Sequence, residues 1–319
     1  MSGSGSVPPS RSMRELLDPE LREVIESYVL PPANDKGLEM VRNSLLREVV
    51  LSESVVRTEL VVAGDPAVPV RVHRPAGQAG LLPAIVTIHG GGLVFGSYDM
   101  DTPLLDRWCH KFGLVGISVE YRLAPENPYP AALDDCYNAL RWAYDRSEEL
   151  GIDRTRIGLY GISAGGGLAA STAVLARDRA EVPVAFQILD TPMIDDRQMT
   201  NSLEADGFYV WNREWNEFAW RSYLGSHYGS DPVPPYAAAA RTRDLRGLPP
   251  AFVTVGSIDG FRDQDVEYAM RLNQARVGCE LHVLAGLPHG YGLVPEASGV
   301  QLAAVNMESW LVRQLARLG

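Results

Sequence analysis

The apolar and polar positions change texture twice along the chain. From Arg14 to Glu48 apolar residues recur at helical spacing, with Leu21, Val24, Ile25 and Tyr28 on one face. Asp18-Pro19-Glu20 supplies a start signal, an acceptor for the cap and a proline for the first turn. A second helix is predicted from Gly37 to Arg47. Two strand-like runs follow, Val55–Val62 and Val68–His73. Then come short, mostly apolar runs: Pro83–Ile88, Leu114–Val119, Arg156–Tyr160, Val182–Leu189 and Ala251–Val255. Such runs suit strands buried on both faces, as in a parallel sheet. Helical stretches separate them at Leu104–Lys111, Ala131–Leu150, Ala164–Arg177 and Arg262–Ala275, and Leu281–Leu284 and Gln301–Leu318 read as a last strand and a closing helix. This alternation predicts an α/β fold, a mostly parallel sheet with helices on both faces.

Residues 195–242 break the alternation. They show no strand pattern and are dense in aromatics: Phe208, Tyr209, Trp211, Trp215, Phe218, Trp220 and Tyr223. Trp211–Leu224 reads as a helix, and the whole insertion is longer than a connection needs. With the leader and helices of residues 1–50, it is expected to form a cap over a core of residues 51–194 and 243–319, its rings facing a ligand pocket. The other reading makes the rings ordinary core of a helical layer.

Composition narrows the function classes. The chain has 319 residues, 46% hydrophobic and 22% charged, enough for a substantial core. Its net charge of −11, with no basic run, argues against nucleic acid as a partner. Cys109, Cys136 and Cys279 are scattered, without a CxxC pair, so neither a zinc site nor a disulfide framework is suggested, and a reducing compartment fits. Met1–Pro9 reads as a flexible leader and lacks the basic-then-apolar order of a secretory signal. No run of ~18 apolar residues predicts a membrane span. The expectation is a cytoplasmic protein, for which a homodimer is compatible but not specified.

The chemistry starts at Gly161-Ile162-Ser163-Ala164-Gly165. A GxSxG match alone is weak, but here a strand precedes it and a helix follows, the setting of a nucleophile elbow. The serine hydroxyl would then stand at a helix N-terminus, where developing negative charge is favoured. His89-Gly90-Gly91-Gly92 directly follows the strand ending at Ile88. Its glycines leave backbone N–H groups accessible, and donors aimed at a tetrahedral oxygen are worth about 3–4 kcal/mol each. The amides of Gly91, Gly92 and Ala164 are assigned to such an oxyanion hole, with His89 organising the turn.

A serine nucleophile needs a base, and the base an orienter. Of the six histidines, His73, His110, His227 and His282 do not stand at the C-terminal end of a core strand, whereas His289 follows the last strand in Pro288-His289-Gly290-Tyr291. Ligands of open α/β sheets bind at those strand ends. Asp259 follows Ala251–Val255 and is preferred as orienter over Asp263 and Asp265, which fall inside the next helix. The chain order Ser163, Asp259, His289 is that of the α/β-hydrolases.

These residues, with Tyr121-Arg122-Leu123-Ala124-Pro125-Glu126, Tyr129-Pro130-Ala131-Ala132, Gly166 and Arg262-Asp263, make the sequence resemble the hormone-sensitive-lipase-like esterases, from about Pro83 to Tyr291. The resemblance implies eight mostly parallel strands with a helical cap. It also implies hydrolysis of short- to medium-chain acyl esters by a serine carboxylesterase, with no metal or organic cofactor. Three positions depart from common family usage: Ile162 where Asp or Thr precedes the serine, Leu93 where an aromatic follows the glycines, and Gly260 where proline follows the aspartate. They bear on the pockets rather than on catalytic atoms, so Leu93, Ile162, Trp211 and Trp215 are the candidate pocket residues. Tyr121–Glu126 and Asp134 are expected to be structural. Two rivals stay in view. Gly165-Gly166-Gly167-Leu168-Ala169-Ala170 satisfies a dinucleotide-binding GxGxxA, but its first glycine does not follow the strand directly. A non-enzymatic binding protein of the same fold is the other.

Overall fold

The computed structural model describes residues 12–44, 51–204 and 210–318. The leader, the end of the second predicted helix at Arg47, and Phe208 and Tyr209 lie outside them.

Eight strands form one sheet: β1 (Val55–Val62), β2 (Val68–Pro75), β3 (Leu82–Ile88), β4 (Val115–Val119), β5 (Ile152–Ile162), β6 (Gln187–Asp190), β7 (Ala251–Gly256) and β8 (Cys279–Leu284). Their order is β1-β2-β4-β3-β5-β6-β7-β8. β2 runs antiparallel to both β1 and β4, and every pair from β4 to β8 is parallel. β4 and β7 are buried at every position, as strands covered on both faces must be. The helices are α1 (Met13–Leu16), α2 (Arg22–Ser27), α3 (Asp35–Ser44), α4 (Thr102–Phe112), α5 (Ala131–Asp145), α6 (Ser147–Leu150), α7 (Ala164–Arg179), α8 (Asn201–Glu204), α9 (Arg213–Leu224), α10 (Arg262–Gln274) and α11 (Ser298–Leu318). α7 is buried without interruption from Ala164 to Ala176. Its small residues let it sit between the sheet and the aromatic segment, apolar on every side.

Four expectations are corrected. The run Val182–Leu189 is a strand only from Gln187; Pro183 has no N–H to give a ladder at its start, and Ala185 and Phe186 make only isolated bonds to Ile157 and Leu159 of β5. The helix predicted at Ala131–Leu150 breaks at Arg146 into α5 and α6. The N-terminal region is three short helices, interrupted at Pro31-Pro32. Asp18 does not cap a helix: its Oδ1 accepts the Glu20 N–H at 2.9 Å in a local turn, and α2 starts at Arg22.

Long-range polar contacts fasten these parts together. Arg42 of α3 donates to the carbonyls of Val94 (2.8 Å) and Ala124 (3.0 Å) and pairs with Glu126 (2.7 Å). Arg122 pairs with the buried Asp135 at 2.8 Å, and the Tyr121 hydroxyl donates to the His89 carbonyl at 3.0 Å. The Tyr121–Glu126 stretch thus braces the loop after β3.

Candidate active site

β5 ends at Ile162 and α7 begins at Ala164, so Ser163 alone makes the turn between them. Its backbone stands at φ 55°, ψ −120°, a conformation costing an L-residue about 1–3 kcal/mol. Two hydrogen bonds hold it there: the Ser163 N–H donates to the Asp190 carbonyl and the Met193 N–H to the Ser163 carbonyl, both at 2.8 Å. The flanking glycines are demanded by space. A Cβ at Gly161 would lie 2.0 Å from the Gly165 carbonyl oxygen, and one at Gly165 1.9 Å from that of Ile88.

The loops after β7 and β8 bring the partners. The Ser163 hydroxyl lies 2.9 Å from His289 Nε2, and His289 Nδ1 lies 2.9 Å from Asp259 Oδ2. The other carboxylate oxygen, Oδ1, accepts the Phe261 N–H at 2.8 Å, which fixes the carboxylate plane. The Phe261 ring meets the imidazole edge-on at 4.9 Å. Asp259 is buried, and Ser163 and His289 each keep 8% exposure, enough for a reacting atom to arrive.

The third component follows β3. His89 is fully enclosed, its ring stacked on Tyr121 at 4.2 Å and its Nδ1 2.7 Å from the Gly90 carbonyl. Burial pushes its imidazole down to about 4, so it is neutral at ordinary pH and serves the turn. The Gly91 carbonyl accepts the N–H groups of Val94 (3.1 Å) and Phe95 (3.0 Å), while the Gly91 and Gly92 amides have no acceptor among the described residues. Ala164, first in its helix, has no intrahelical acceptor for its own N–H.

The profile of the family described as alpha/beta hydrolase fold matches residues 85–293. The chain is 34% identical over 308 residues to the carboxylesterase NlhH of Mycobacterium tuberculosis, covering 91% of this chain and 95% of that one. It is 31% identical over 295 residues to an arylesterase of Saccharolobus solfataricus, covering 85% and 93%. A solved structure of a bacterial heroin esterase superposes with a TM-score of 0.89 at 37% identity, covering 95% of this chain and 99% of that one. The chain belongs to the α/β-hydrolase family, in its hormone-sensitive-lipase-like esterase branch.

In this family member, residues 210 and 211 lie against two glycines of the site loops, Gly290 and Gly92. The Trp211 ring lies where a Cβ at Gly92 would be, 2.2 Å from its Cη2, and Val210 Cγ1 would be 2.6 Å from a Cβ at Gly290. Ile162 lines a cavity of about 600 Å³ between α4 and α11, together with Asp190 and Tyr291. Leu93 lines, with Ala164, Trp220 and Tyr223, a nearly filled space of about 10 Å³ on the other side of the turn. A larger concavity of about 920 Å³, walled by Asp178, Arg197, Arg241 and Glu267, includes neither a triad member nor a flank of the serine, whereas the other two reach its flanks Ile162 and Ala164. Trp215, expected with Trp211 as a pocket residue, is fully buried, and neither ring lines those two cavities. A buried indole N–H needs an acceptor, and Trp215 Nε1 finds the Pro31 carbonyl at 2.8 Å, tying α9 to the N-terminal segment.

Sequence reasoning missed two polar residues. The Tyr291 hydroxyl donates to Asp190 Oδ1 at 2.5 Å, deep beside the triad. Asp190 ends a core strand as Asp259 nearly does, and that shared strand-end position was the available signal.

Proposed function

We propose that the protein is a serine carboxylesterase that hydrolyses short- to medium-chain acyl esters. The observation that carries this is the series Ser163, His289, Asp259, linked at 2.9 and 2.9 Å, together with the Gly91 and Gly92 amides, which have no acceptor among the described residues. Ser163 Oγ attacks the ester carbonyl while His289 Nε2 takes its proton, and Asp259 holds the imidazole and stabilises its cation. The amides of Gly91, Gly92 and Ala164 receive the oxyanion. His289 then protonates the leaving alcohol, water attacks the acyl-enzyme with His289 again as base, and the acid departs. The named esterases among the relatives support this reaction class.

Residues 195–242 and the N-terminal helices act as the cap, with Val210 and Trp211 its points of contact with the site. The larger half of the ester extends into the cavity between α4 and α11, the smaller lies beside Leu93 and Ala164. The partner is a small ester, and three free cysteines suit a reducing compartment such as the cytoplasm.

Two measurements test this reading. A fluorophosphonate should label the protein on the peptide carrying Ser163. Rates over p-nitrophenyl esters from acetyl to palmitoyl should peak at short to medium chains. A palmitoyl maximum would point to a lipase. Cavity use has its own test. Ala304→Trp narrows the space between α4 and α11. It is expected to lower kcat/KM for the hexanoyl ester about tenfold more than for the acetyl ester. Equal losses on both esters would remove the cavity from the substrate path.

A further inference from the structure

Asp190 takes no part in the proton transfers above, yet it contacts Ser163 and also Tyr291, near His289 in the chain. Its carbonyl accepts the Ser163 N–H at 2.8 Å. Its carboxylate accepts the Tyr291 hydroxyl at 2.5 Å, and Tyr291 stands two residues beyond His289. The next residue, Thr191, donates its N–H to the Thr254 carbonyl of β7 at 2.7 Å, so Asp190 is held in the sheet. We infer that Asp190 is a positioning residue of the triad: it holds the nucleophile turn through its backbone and the histidine loop through Tyr291, and when ionised it places a second anion near the imidazolium that forms during catalysis. The inference rests on the serine esterase reading.

The surroundings make the charge conditional. Asp190 is buried, and burial pushes its carboxyl up to about 6, against the Tyr291 hydrogen bond and the attraction of His289. Asp259 repels it and the Tyr160 hydroxyl of β5 favours its anion, while Asp265 of α10 faces it with a carboxyl that burial, Asp259 and Asp190 push up. Asp101, Arg107 and Glu308 face the same cavity from α4 and its approach and from α11. Below about 6 the carboxyl is neutral and the second anion is gone; above it the anion is present.

The test is kcat and KM for p-nitrophenyl acetate, per fluorophosphonate-titrated site, in wild type, Asp190→Asn and Tyr291→Phe. Asparagine keeps an acceptor for Tyr291 but cannot ionise. Rates are compared as the ratio of wild type to Asp190→Asn at each pH. The ratio of wild-type to Asp190→Asn kcat should be near one at low pH and rise about tenfold above a midpoint near 6. The pH dependence of the kcat ratio, not KM, carries the test, because Asp190 also lines the proposed substrate cavity. Tyr291→Phe removes the hydrogen bond that favours the anion, so it should lower kcat and move the midpoint upward. A ratio independent of pH, whether or not kcat falls, overturns the inference, since a merely structural role predicts that. If Asp190→Asn does not fold, an unmoved wild-type step in Tyr291→Phe overturns it alone. Failure of the wild type to label at Ser163 would count against the esterase reading instead.

Discussion

Replacing Ser163 with alanine is expected to lower p-nitrophenyl butyrate hydrolysis about 10⁴- to 10⁶-fold and to abolish fluorophosphonate labelling. The size of the loss follows from what the residue does. The hydroxyl is the atom that forms the bond, and among the described residues no other hydroxyl or thiol is hydrogen-bonded to His289 Nε2, which lies 2.9 Å from it. Residual rate would come from the oxyanion amides and binding alone. The fold should survive, because the turn is fixed by backbone bonds to Asp190 and Met193, which alanine keeps. Ser118→Ala is the informative control. Ser118 lies 3.4 Å from His73 Nε2, and His73 Nδ1 lies 3.6 Å from Asp106, a second serine–histidine–aspartate series. It is sealed in the core, with Ser118 and His73 wholly buried, and burial holds His73 down to about 4. Ser118→Ala should leave the rate within about twofold. Steady-state kinetics and labelling on the two variants separate residue types from a working site.

That contrast shows what was legible in the sequence. The strand–turn–helix around Ser163 was readable because each flank has its own local pattern, and the order of Asp259 and His289 followed from strand ends. His73 was set aside for its place in an early strand, and its burial gives the physical reason. Features made by distant segments were not readable. The Tyr291–Asp190 bond joins residues 101 apart: the strand-end place of Asp190 is a local signal, but its pairing with Tyr291 is not. The cavity beside Ile162 exists because α11 packs across α4, a matter of tertiary placement. Trp215 looked like its aromatic neighbours, and only the Pro31 carbonyl distinguishes it as an anchor. Pro183 was visible but outweighed by the apolar run around it, which is how the β6 boundary went astray.

Asp259→Asn is expected to cost about 10⁴-fold in kcat with little change in KM. The reason lies in the second oxygen. Oδ1 of Asp259 accepts the Phe261 N–H at 2.8 Å. Asparagine keeps that bond only with its carbonyl on Phe261, which turns its amide N–H group toward His289 Nδ1. The imidazole must then accept at Nδ1 and carry its proton on Nε2, where it can no longer take one from Ser163. Asp263→Asn should matter little, because that carboxylate is spent on Arg262 and the Ser202 N–H. Asp265 separates the alternatives best. It is buried with both oxygens unpaired among the described residues, and burial, with the Asp259 and Asp190 charges adding, pushes its carboxyl well above the usual range. Burial therefore favours its neutral form in the folded protein, and asparagine replaces that form in kind. Its stability contribution is full below the unfolded carboxyl value and is lost as pH rises toward the folded one. Asp265→Asn should keep turnover within about threefold. It should also melt higher than wild type at about pH 8, with the gap closing toward about pH 4. Steady-state rates and thermal melts across that range check both. A dead Asp265→Asn beside an active Asp259→Asn would move the orienter to α10.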